Sequence, residues 1–278
     1  MDCPRDAMQG IHDFISTDDK VDHLAKLLKV GFDTIDCGSF VSPKIIPQMA
    51  DTGEVLNAVK DIDSNSQLSV IIASEGGAER ALKHSNVDLL GFPFSISEEF
   101  QQNNTHKSRE EAYESIKNIQ RNLENSGKEL LVYFSMAFGN PYNEEWNPDL
   151  VKDWTKRFAD LGIKRINLSD TTSVARPADV EELFKNLIIQ YPEIEFGAHF
   201  HSEYNDWFPK VDAAYRNGCR RFDGAIKGFG GCPMAKSDLV GNTPTEKLIT
   251  YAESVKANHN LDLFAFETAY NSAMKIMG

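Results

Sequence analysis

The stretch Ile194-Glu195-Phe196-Gly197-Ala198-His199-Phe200-His201 ends an apolar strand pattern in two histidines. Side chains two positions apart on a β-strand point to the same side, so His199 and His201 would project together. Neutral imidazole nitrogens are common metal ligands. The pair is therefore either a ligand pair or two buried polar residues that each bond a neighbouring carbonyl. The rest of the chain decides between these interpretations.

The composition is that of an ordinary globular protein, since 41% of the 278 residues are apolar and 26% are charged. A net charge of −13 argues against a general nucleic-acid binder, although it leaves room for an anionic small substrate. No apolar run approaches the roughly 20 residues that span a bilayer, and the first residues lack the pattern of a signal peptide. The cysteines show no metal-finger spacing. We therefore expect a cytoplasmic protein with reduced cysteines and with neither membrane nor nucleic acid as a partner.

Short apolar strand patterns alternate with helical patterns along the whole chain. Lys164–Leu168 reads as a strand and Ala178–Gln190 as the following helix, and Asp206–Asn217 reads as the helix after the histidine strand. Seven strands are clear, and an eighth at the start would lie mostly before residue 1. This alternation predicts parallel βα units. Eight units in this length favour the α/β class and a (β/α)₈ TIM barrel, and the glycine fingerprint of a doubly wound sheet is missing.

The domain organisation follows from the same pattern. No linker, low-complexity tract or charge block divides the chain. We expect one catalytic domain over residues 1–278, with its first strand clipped at the N-terminus.

Polar residues cluster where the predicted strands end, and in a barrel that rim carries the active site. They are Arg5-Asp6 at the first strand, Asp36 at the second, Asp170 at the sixth, His199 and His201 at the seventh, and Asn242 after the eighth. Asp170, which precedes Thr171, is equally well explained as a capping residue. Residues so distant in sequence would nevertheless converge on a single site.

The predicted donor set mixes oxygen and nitrogen. It consists of the Asp6 carboxylate, the His199 and His201 imidazoles and the Asn242 amide oxygen. Such a set suits Mg²⁺ or Mn²⁺ with open positions for substrate oxygens, and Zn²⁺ is less favoured. Arg5 beside the carboxylate would stabilise an oxyanion or enolate; its alternative role is a surface ion pair.

Cys232 follows a loop that contains Gly228, Gly230 and Gly231. A cysteine in a flexible, exposed loop is a candidate proton donor or acceptor. The alternative is an incidental thiol in a turn.

Several motifs follow one another in the order of a known family. They are Pro4-Arg5-Asp6 with Gln9, Ser39-Phe40-Val41-Ser42-Pro43-Lys44 with Pro47-Gln48-Met49, Leu168 with Asp170-Thr171, His199-Phe200-His201, Gly230-Gly231-Cys232-Pro233 with Ala235, and Gly241-Asn242. With them the chain resembles the 3-hydroxy-3-methylglutaryl-CoA lyases. The Arg-Asp and His-x-His motifs also mark the wider group of metal-dependent barrel lyases and synthases. The Ser39–Lys44 segment and the Gly-Gly-Cys-Pro loop point to the lyase branch.

The resemblance implies a retro-Claisen cleavage of an acyl-CoA substrate to acetyl-CoA and acetoacetate. In the implied mechanism, Asp170 removes the hydroxyl proton, Arg5 stabilises the enolate and Cys232 protonates it. The substrate-binding residues implied in the same way are Gln9, Ser42, Lys44 and Gly231, with Lys44 at a CoA phosphate. Barrels of this kind often form homodimers.

Three departures from the family pattern keep other functions open. Asp36, a catalytic candidate, stands where the family usually has glutamate, and Ser74 stands where it usually has asparagine. The segment 202–205 reads Ser-Glu-Tyr-Asn in place of Asp-Thr-Tyr-Gly. The leading hypothesis is a lyase for the parent substrate or a related hydroxyacyl-CoA. The alternatives are an acyl-CoA/2-oxo acid condensing synthase and a metal-binding barrel that has lost catalysis.

Overall fold

The computed structural model describes residues 1–203, 205–231 and 240–278, in which helices and strands alternate as the sequence predicts. The strands are β1 (Thr34–Ser39), β2 (Gln67–Ile71), β3 (Leu89–Ser95), β4 (Glu129–Ser135), β5 (Arg165–Asp170), β6 (Glu195–Ser202), β7 (Arg221–Asp223) and β8 (Gly241–Asn242). The α-helices are α1 (Pro4–Gln9), α2 (Thr17–Leu27), α3 (Thr52–Val59), α4 (Glu75–Ala81), α5 (Glu98–Thr105), α6 (Arg109–Leu123), α7 (Pro148–Asp160), α8 (Pro177–Gln190), α9 (Phe208–Arg216), α10 (Thr245–Ser254) and α11 (Leu263–Met277). None of the helices in these ranges has the length and apolar character needed to cross a bilayer.

Side-chain caps explain where several helices begin. Ser16 accepts a hydrogen bond from the backbone N–H of Asp19 at 3.1 Å and caps the start of α2. Ser108 and Glu111 form a reciprocal capping box at the start of α6. Each cap satisfies an N–H group that the first turn of a helix leaves without a partner.

The described residues form two compact units. The first contains Met1–Leu90, Gly224–Gly231 and Asn242–Gly278, and the second contains Gly91–Asp223. The single domain over residues 1–278 stays a prediction.

In the first unit, β1 and β2 pair in parallel, with Thr34 opposite Gln67. Asp2 makes parallel bridges to both Ile35 and Gly224, so the extreme N-terminus occupies a strand position beside β1. The prediction that Arg5 and Asp6 end a strand is wrong, because both lie in helix α1. That helix begins at Pro4, whose fixed φ and missing N–H suit a first helical position.

In the second unit, β4, β5, β6 and β7 pair in chain order, and every pair is parallel. The register places Ser169 opposite His199, and His199 opposite Asp223. The polar ends of β5, β6 and β7 therefore lie side by side, as the sequence predicts for parallel strands.

An aromatic cluster fills part of the core of the second unit. Phe94 is fully buried, and its ring centroid lies 5.7 Å from that of Phe134, 4.6 Å from Trp154 and 5.0 Å from Phe158. Phe94→Ala would remove these contacts and leave a cavity. We expect it to lower the free energy of unfolding by about 3–5 kcal/mol, measured by urea denaturation.

The exposed Phe264 provides the matched control, because its side chain is 86% exposed. Phe264→Ala should change the free energy of unfolding by less than about 0.5 kcal/mol. Equal losses in the two variants would contradict the core position of Phe94.

Candidate active site

Strand β6 presents two imidazoles at its end. The Nε2 atoms of His199 and His201 lie 3.2 Å apart, which confirms that the side chains project together. Two ligands at about 2.1 Å from one ion and at right angles to each other are separated by about 3 Å. The spacing of the two nitrogens therefore fits a shared divalent cation.

A carboxylate behind His199 orients that imidazole. Nδ1 of His199 lies 3.2 Å from Oδ2 of Asp223, and the same oxygen accepts a 2.7 Å hydrogen bond from Nδ2 of Asn167. Burial raises the pKa of Asp223, but its pairing with His199 more than offsets this and holds the pKa below its usual value. A proton on Nδ1 leaves the Nε2 lone pair for a metal ion, the common arrangement around metal-bound histidines.

Replacing Asp223 tests this orienting role. Asp223→Asn removes the charge that fixes the His199 tautomer, so we expect the dissociation constant for Mn²⁺ to rise about 10- to 100-fold. Isothermal titration of the metal-free protein measures it. Asp153→Asn, an exposed aspartate on α7, is the control and should leave the constant unchanged. If Asp223→Asn binds Mn²⁺ with the wild-type dissociation constant, Asp223 does not orient His199 for metal binding.

Asp170, the predicted base, is enclosed by donors at the end of β5. Its Oδ2 accepts a 2.7 Å hydrogen bond from Nζ of Lys210, and its Oδ1 accepts hydrogen bonds from the backbone N–H groups of Val174 and Ala175. The side chains of Asp170 and Lys210 are 0% and 4% exposed. Both carboxylate oxygens are thus already engaged by donors, and the role of Asp170 as a base stays a prediction.

The carboxylate side of the predicted site lies in the first unit, on α1 and β1. Arg5 donates to Oδ2 of Asp36 through Nε at 2.9 Å and through Nη2. Its Nη1 donates at 2.9 Å to Oδ1 of Asp6 and at 2.9 Å to Oε1 of Gln9. Burial opposes the charge of Arg5, but the two carboxylates more than offset it and raise the pKa of the guanidinium. Arg5 is therefore a fixed, permanent cation, which contradicts its alternative role as a surface ion pair.

Asn242 joins this network from β8. Its Nδ2 donates to Oδ2 of Asp6 at 2.6 Å and to the carbonyl of Phe229 at 2.9 Å. With both amide protons used, the side-chain oxygen is left to act as a ligand. The glycine loop lies against the same helix, since a Cβ on Gly230 would come within 2.5 Å of the carbonyl oxygen of Asp6.

The remaining predicted residues are less defined by contacts. Ser42 and the exposed Lys44 lie in the loop after β1, and the hydroxyl of Ser42 accepts a 3.4 Å hydrogen bond from the N–H of Lys44. Gly231 closes the described part of the glycine loop. Cys232, the predicted proton donor, lies outside the described residues.

The other two departures from the family pattern also have a visible structural setting. Ser74 caps α4 by accepting a 3.1 Å hydrogen bond from the N–H of Gly77. Ser202 is buried at the end of β6, whereas Glu203 is exposed. Tyr204 lies outside the described residues.

Three polar residues around the candidate site were not predicted from the sequence: Asp223, Asn167 and Lys210. Asp223 and Asn167 interrupt apolar strand patterns, a signal that could have marked them as buried polar residues. Lys210 lies in the first turn of a helix, where a lysine normally faces solvent, and no local signal reveals its burial.

The candidate metal-binding residues of the described chain include Asp6 in the first unit, and His199 and His201 in the second. Within the second unit, the Nε2 spacing of the two imidazoles and the support from Asp223 fit a divalent ion.

Comparison with known proteins identifies the family. The HMGL-like family model matches residues 2–272. The hydroxymethylglutaryl-CoA lyase of Pseudomonas mevalonii is 30% identical over 262 residues, covering 94% of this chain and 86% of that protein. The (R)-citramalyl-CoA lyase of Chloroflexus aurantiacus is 27% identical over 279 residues, covering 96% and 86%.

A solved structure agrees over the whole chain. The HMG-CoA lyase of Acinetobacter baumannii, in complex with coenzyme A and 3-methylmalate, matches with a TM-score of 0.91 at 29% identity and covers 100% of this chain and 90% of that one. This agreement confirms the (β/α)₈ TIM-barrel fold class. The chain belongs to the HMGL-like family, and the relatives named above are carbon–carbon lyases.

Proposed function

We propose that this protein is a metal-dependent carbon–carbon lyase that cleaves 3-hydroxy-3-methylglutaryl-CoA or a closely related hydroxyacyl-CoA. For the parent substrate, the products are acetyl-CoA and acetoacetate. The observation that carries the proposal is the pair of Nε2 atoms 3.2 Å apart on β6, backed by a buried carboxylate, in a chain of this family. The names of the relatives support the acyl-CoA class of substrate.

Four side chains are proposed as ligands of one divalent cation: Asp6, His199, His201 and Asn242. Two oxygen and two nitrogen ligands leave coordination positions of an octahedral ion open for substrate. This favours Mg²⁺ or Mn²⁺ over Zn²⁺, which prefers tetrahedral coordination. Bound there, the ion would polarise substrate oxygens and lower the pKa of a hydroxyl.

The proposed reaction breaks the bond between C2 and C3 of the substrate. The C3 hydroxyl loses its proton and becomes the ketone, and the electron pair of the broken bond forms the acetyl-CoA enolate. Arg5 stabilises the negative oxygen of that enolate, since its guanidinium is fixed by Asp36, Asp6 and Gln9. The Cys232 thiol donates a proton to the enolate carbon, and the proton released from the hydroxyl restores the thiol. We do not assign proton removal to Asp170, because Lys210 already holds that carboxylate.

Substrate contacts are proposed for Gln9, Ser42, Lys44 and Gly231. Gln9 accepts a hydrogen bond from Arg5 and donates one to Asp6 at 2.7 Å, so it is well placed to couple the substrate to this network. The exposed Lys44 would pair with a CoA phosphate. Asp36, whose side chain is shorter than the glutamate that the family usually has there, is proposed to position Arg5.

A second lyase substrate is favoured by one comparison. The 27% identity to a citramalyl-CoA lyase supports a hydroxyacyl-CoA that would release pyruvate with acetyl-CoA. The test is to incubate the Mn²⁺-loaded protein with each thioester and to quantify acetyl-CoA, acetoacetate and pyruvate. Release of acetyl-CoA with one of the two keto acids supports the lyase.

Other outcomes of the same assay would overturn the proposal. Free CoA formed from acetyl-CoA and a 2-oxo acid, without cleavage of either thioester, identifies the condensing synthase. No turnover in either direction identifies a barrel that has lost catalysis.

A cytoplasmic location and a homodimer complete the proposal. The cysteines Cys3, Cys37 and Cys219 are all buried and unbonded to each other, which is usual in a reducing compartment. The net charge of −13 supports a small-molecule substrate rather than nucleic acid. Size-exclusion chromatography with light scattering measures the oligomeric state.

A further inference from the structure

Lys210 is a buried ammonium group with a complete set of partners. Its Nζ donates to Oδ2 of Asp170 at 2.7 Å, to the backbone carbonyl of His201 at 2.8 Å and to Oγ of Ser173 at 3.1 Å. An ammonium group has three protons, so these three acceptors satisfy it. Lys210 is therefore not available to bind a substrate.

Asp170 is equally enclosed. Its two oxygens accept one hydrogen bond from Lys210 and two from the backbone N–H groups of Val174 and Ala175, at 2.8 and 3.2 Å. The pair thus ties three segments together: the end of β5, the turn after it, and the first turn of α9.

The backbone carbonyl that Lys210 holds connects the Lys210–Asp170 pair to the predicted metal ligands. The carbonyl that it holds belongs to His201, whose side chain carries one of the two converging Nε2 atoms. A backbone fixed at that residue restricts where the imidazole can point. Lys210 therefore acts on His201 as Asp223 acts on His199, through the main chain instead of the ring.

We infer that Lys210 is a positioning residue that holds His201 in its metal-binding geometry, and that Asp170 anchors Lys210. The inference rests on the proposed function, since it takes His201 as a ligand. A buried ion pair contributes little net stability relative to apolar residues of similar size, so a simple stabilising role explains this one poorly. The pair is better explained by the geometry that it imposes on the end of β6.

The test separates positioning from stability with Lys210→Met and the double variant Asp170→Asn/Lys210→Met, and Asp170→Asn alone tests the role of a base. The first leaves the Asp170 charge buried and unpaired, and the second removes that charge. The dissociation constant for Mn²⁺, measured by titration calorimetry, and the melting temperature are recorded for all three variants. Lys156→Met on α7, which breaks an exposed lysine–aspartate pair, is the control.

We expect Lys210→Met to raise the dissociation constant for Mn²⁺ about 10- to 100-fold, the range typical of residues that orient a ligand. The double variant should recover the melting temperature but keep the weak Mn²⁺ binding. At saturating Mn²⁺, the kcat of Lys210→Met should approach the wild-type value. Lys156→Met should match the wild type throughout.

Two results would overturn the inference. One is wild-type Mn²⁺ affinity in both Lys210 variants. The other is an Asp170→Asn variant that binds Mn²⁺ normally but loses kcat at saturation, which would restore Asp170 as the base. If the wild-type protein itself binds no Mn²⁺, the proposed function fails, and the inference fails with it.

Discussion

His201→Ala is expected to abolish stoichiometric Mn²⁺ binding and to reduce thioester cleavage by about 10³-fold or more. The variant removes one of two imidazole nitrogens that lie 3.2 Å apart. Metal ions supply several kcal/mol of charge stabilisation in such reactions, and about 4 kcal/mol corresponds to a 10³-fold change in rate. Calorimetric titration with Mn²⁺ and the release of acetyl-CoA measure the two effects.

The matched control is His12→Ala, because the side chain of His12 is fully exposed. It should bind Mn²⁺ and turn over substrate as the wild type does. His201 is 4% exposed, so its variant is also checked for folding by circular dichroism. A folded His201→Ala protein with wild-type Mn²⁺ affinity would show that His201 is not a ligand.

Arg5→Met is expected to lower both the free energy of unfolding and kcat, and its effect is second in size to that of His201→Ala. The guanidinium is 7% exposed and bonds two carboxylates, Asp36 and Asp6. Its loss leaves both charges buried without their partner, so the free energy of unfolding should fall by about 3–5 kcal/mol. The enolate would also lose its fixed cation, so kcat should fall about 10²- to 10³-fold.

Compensating variants separate the two effects. Arg5→Met/Asp36→Asn removes one of the stranded charges and should recover part of the stability but none of the kcat. Arg5→Lys keeps the charge but loses the planar fork, so its kcat should also stay low. Arg176→Met, which breaks an ion pair in which the arginine is 75% exposed, is the control. A stable Arg5→Met protein with wild-type kcat would exclude Arg5 from catalysis.

The alternation of apolar strands and amphipathic helices was enough to predict the fold class. The spacing of apolar residues within each segment can be seen in the sequence alone. The capping residues Ser16 and Ser108 likewise mark the starts of helices. The sequence analysis placed Arg5 and Asp6 at a strand end, but Pro4 starts a helix there. Helix α5 was also missed, although Ser97 caps it by accepting a hydrogen bond from the N–H of Phe100 at 3.0 Å.

The candidate site could be predicted where metal-binding residue types stand at the end of a strand pattern. His199 and His201 project together because a strand has a period of two, and that period is visible in the sequence. Lys210 and Asp223 act through contacts with residues 40 and 24 positions away in the chain. Such tertiary partners leave no local pattern, so the ion pair of Asp170 with Lys210 could not be predicted from the sequence.

Thioester cleavage is proposed to require one divalent cation, held in part by the β6 histidines. The most direct measurement strips the protein of metal with a chelator and then titrates Mn²⁺ while acetyl-CoA release is followed. We expect no activity in the stripped protein and a linear recovery that ends at about one Mn²⁺ per chain. Full activity in the stripped protein, or none after saturation with Mn²⁺, would contradict it.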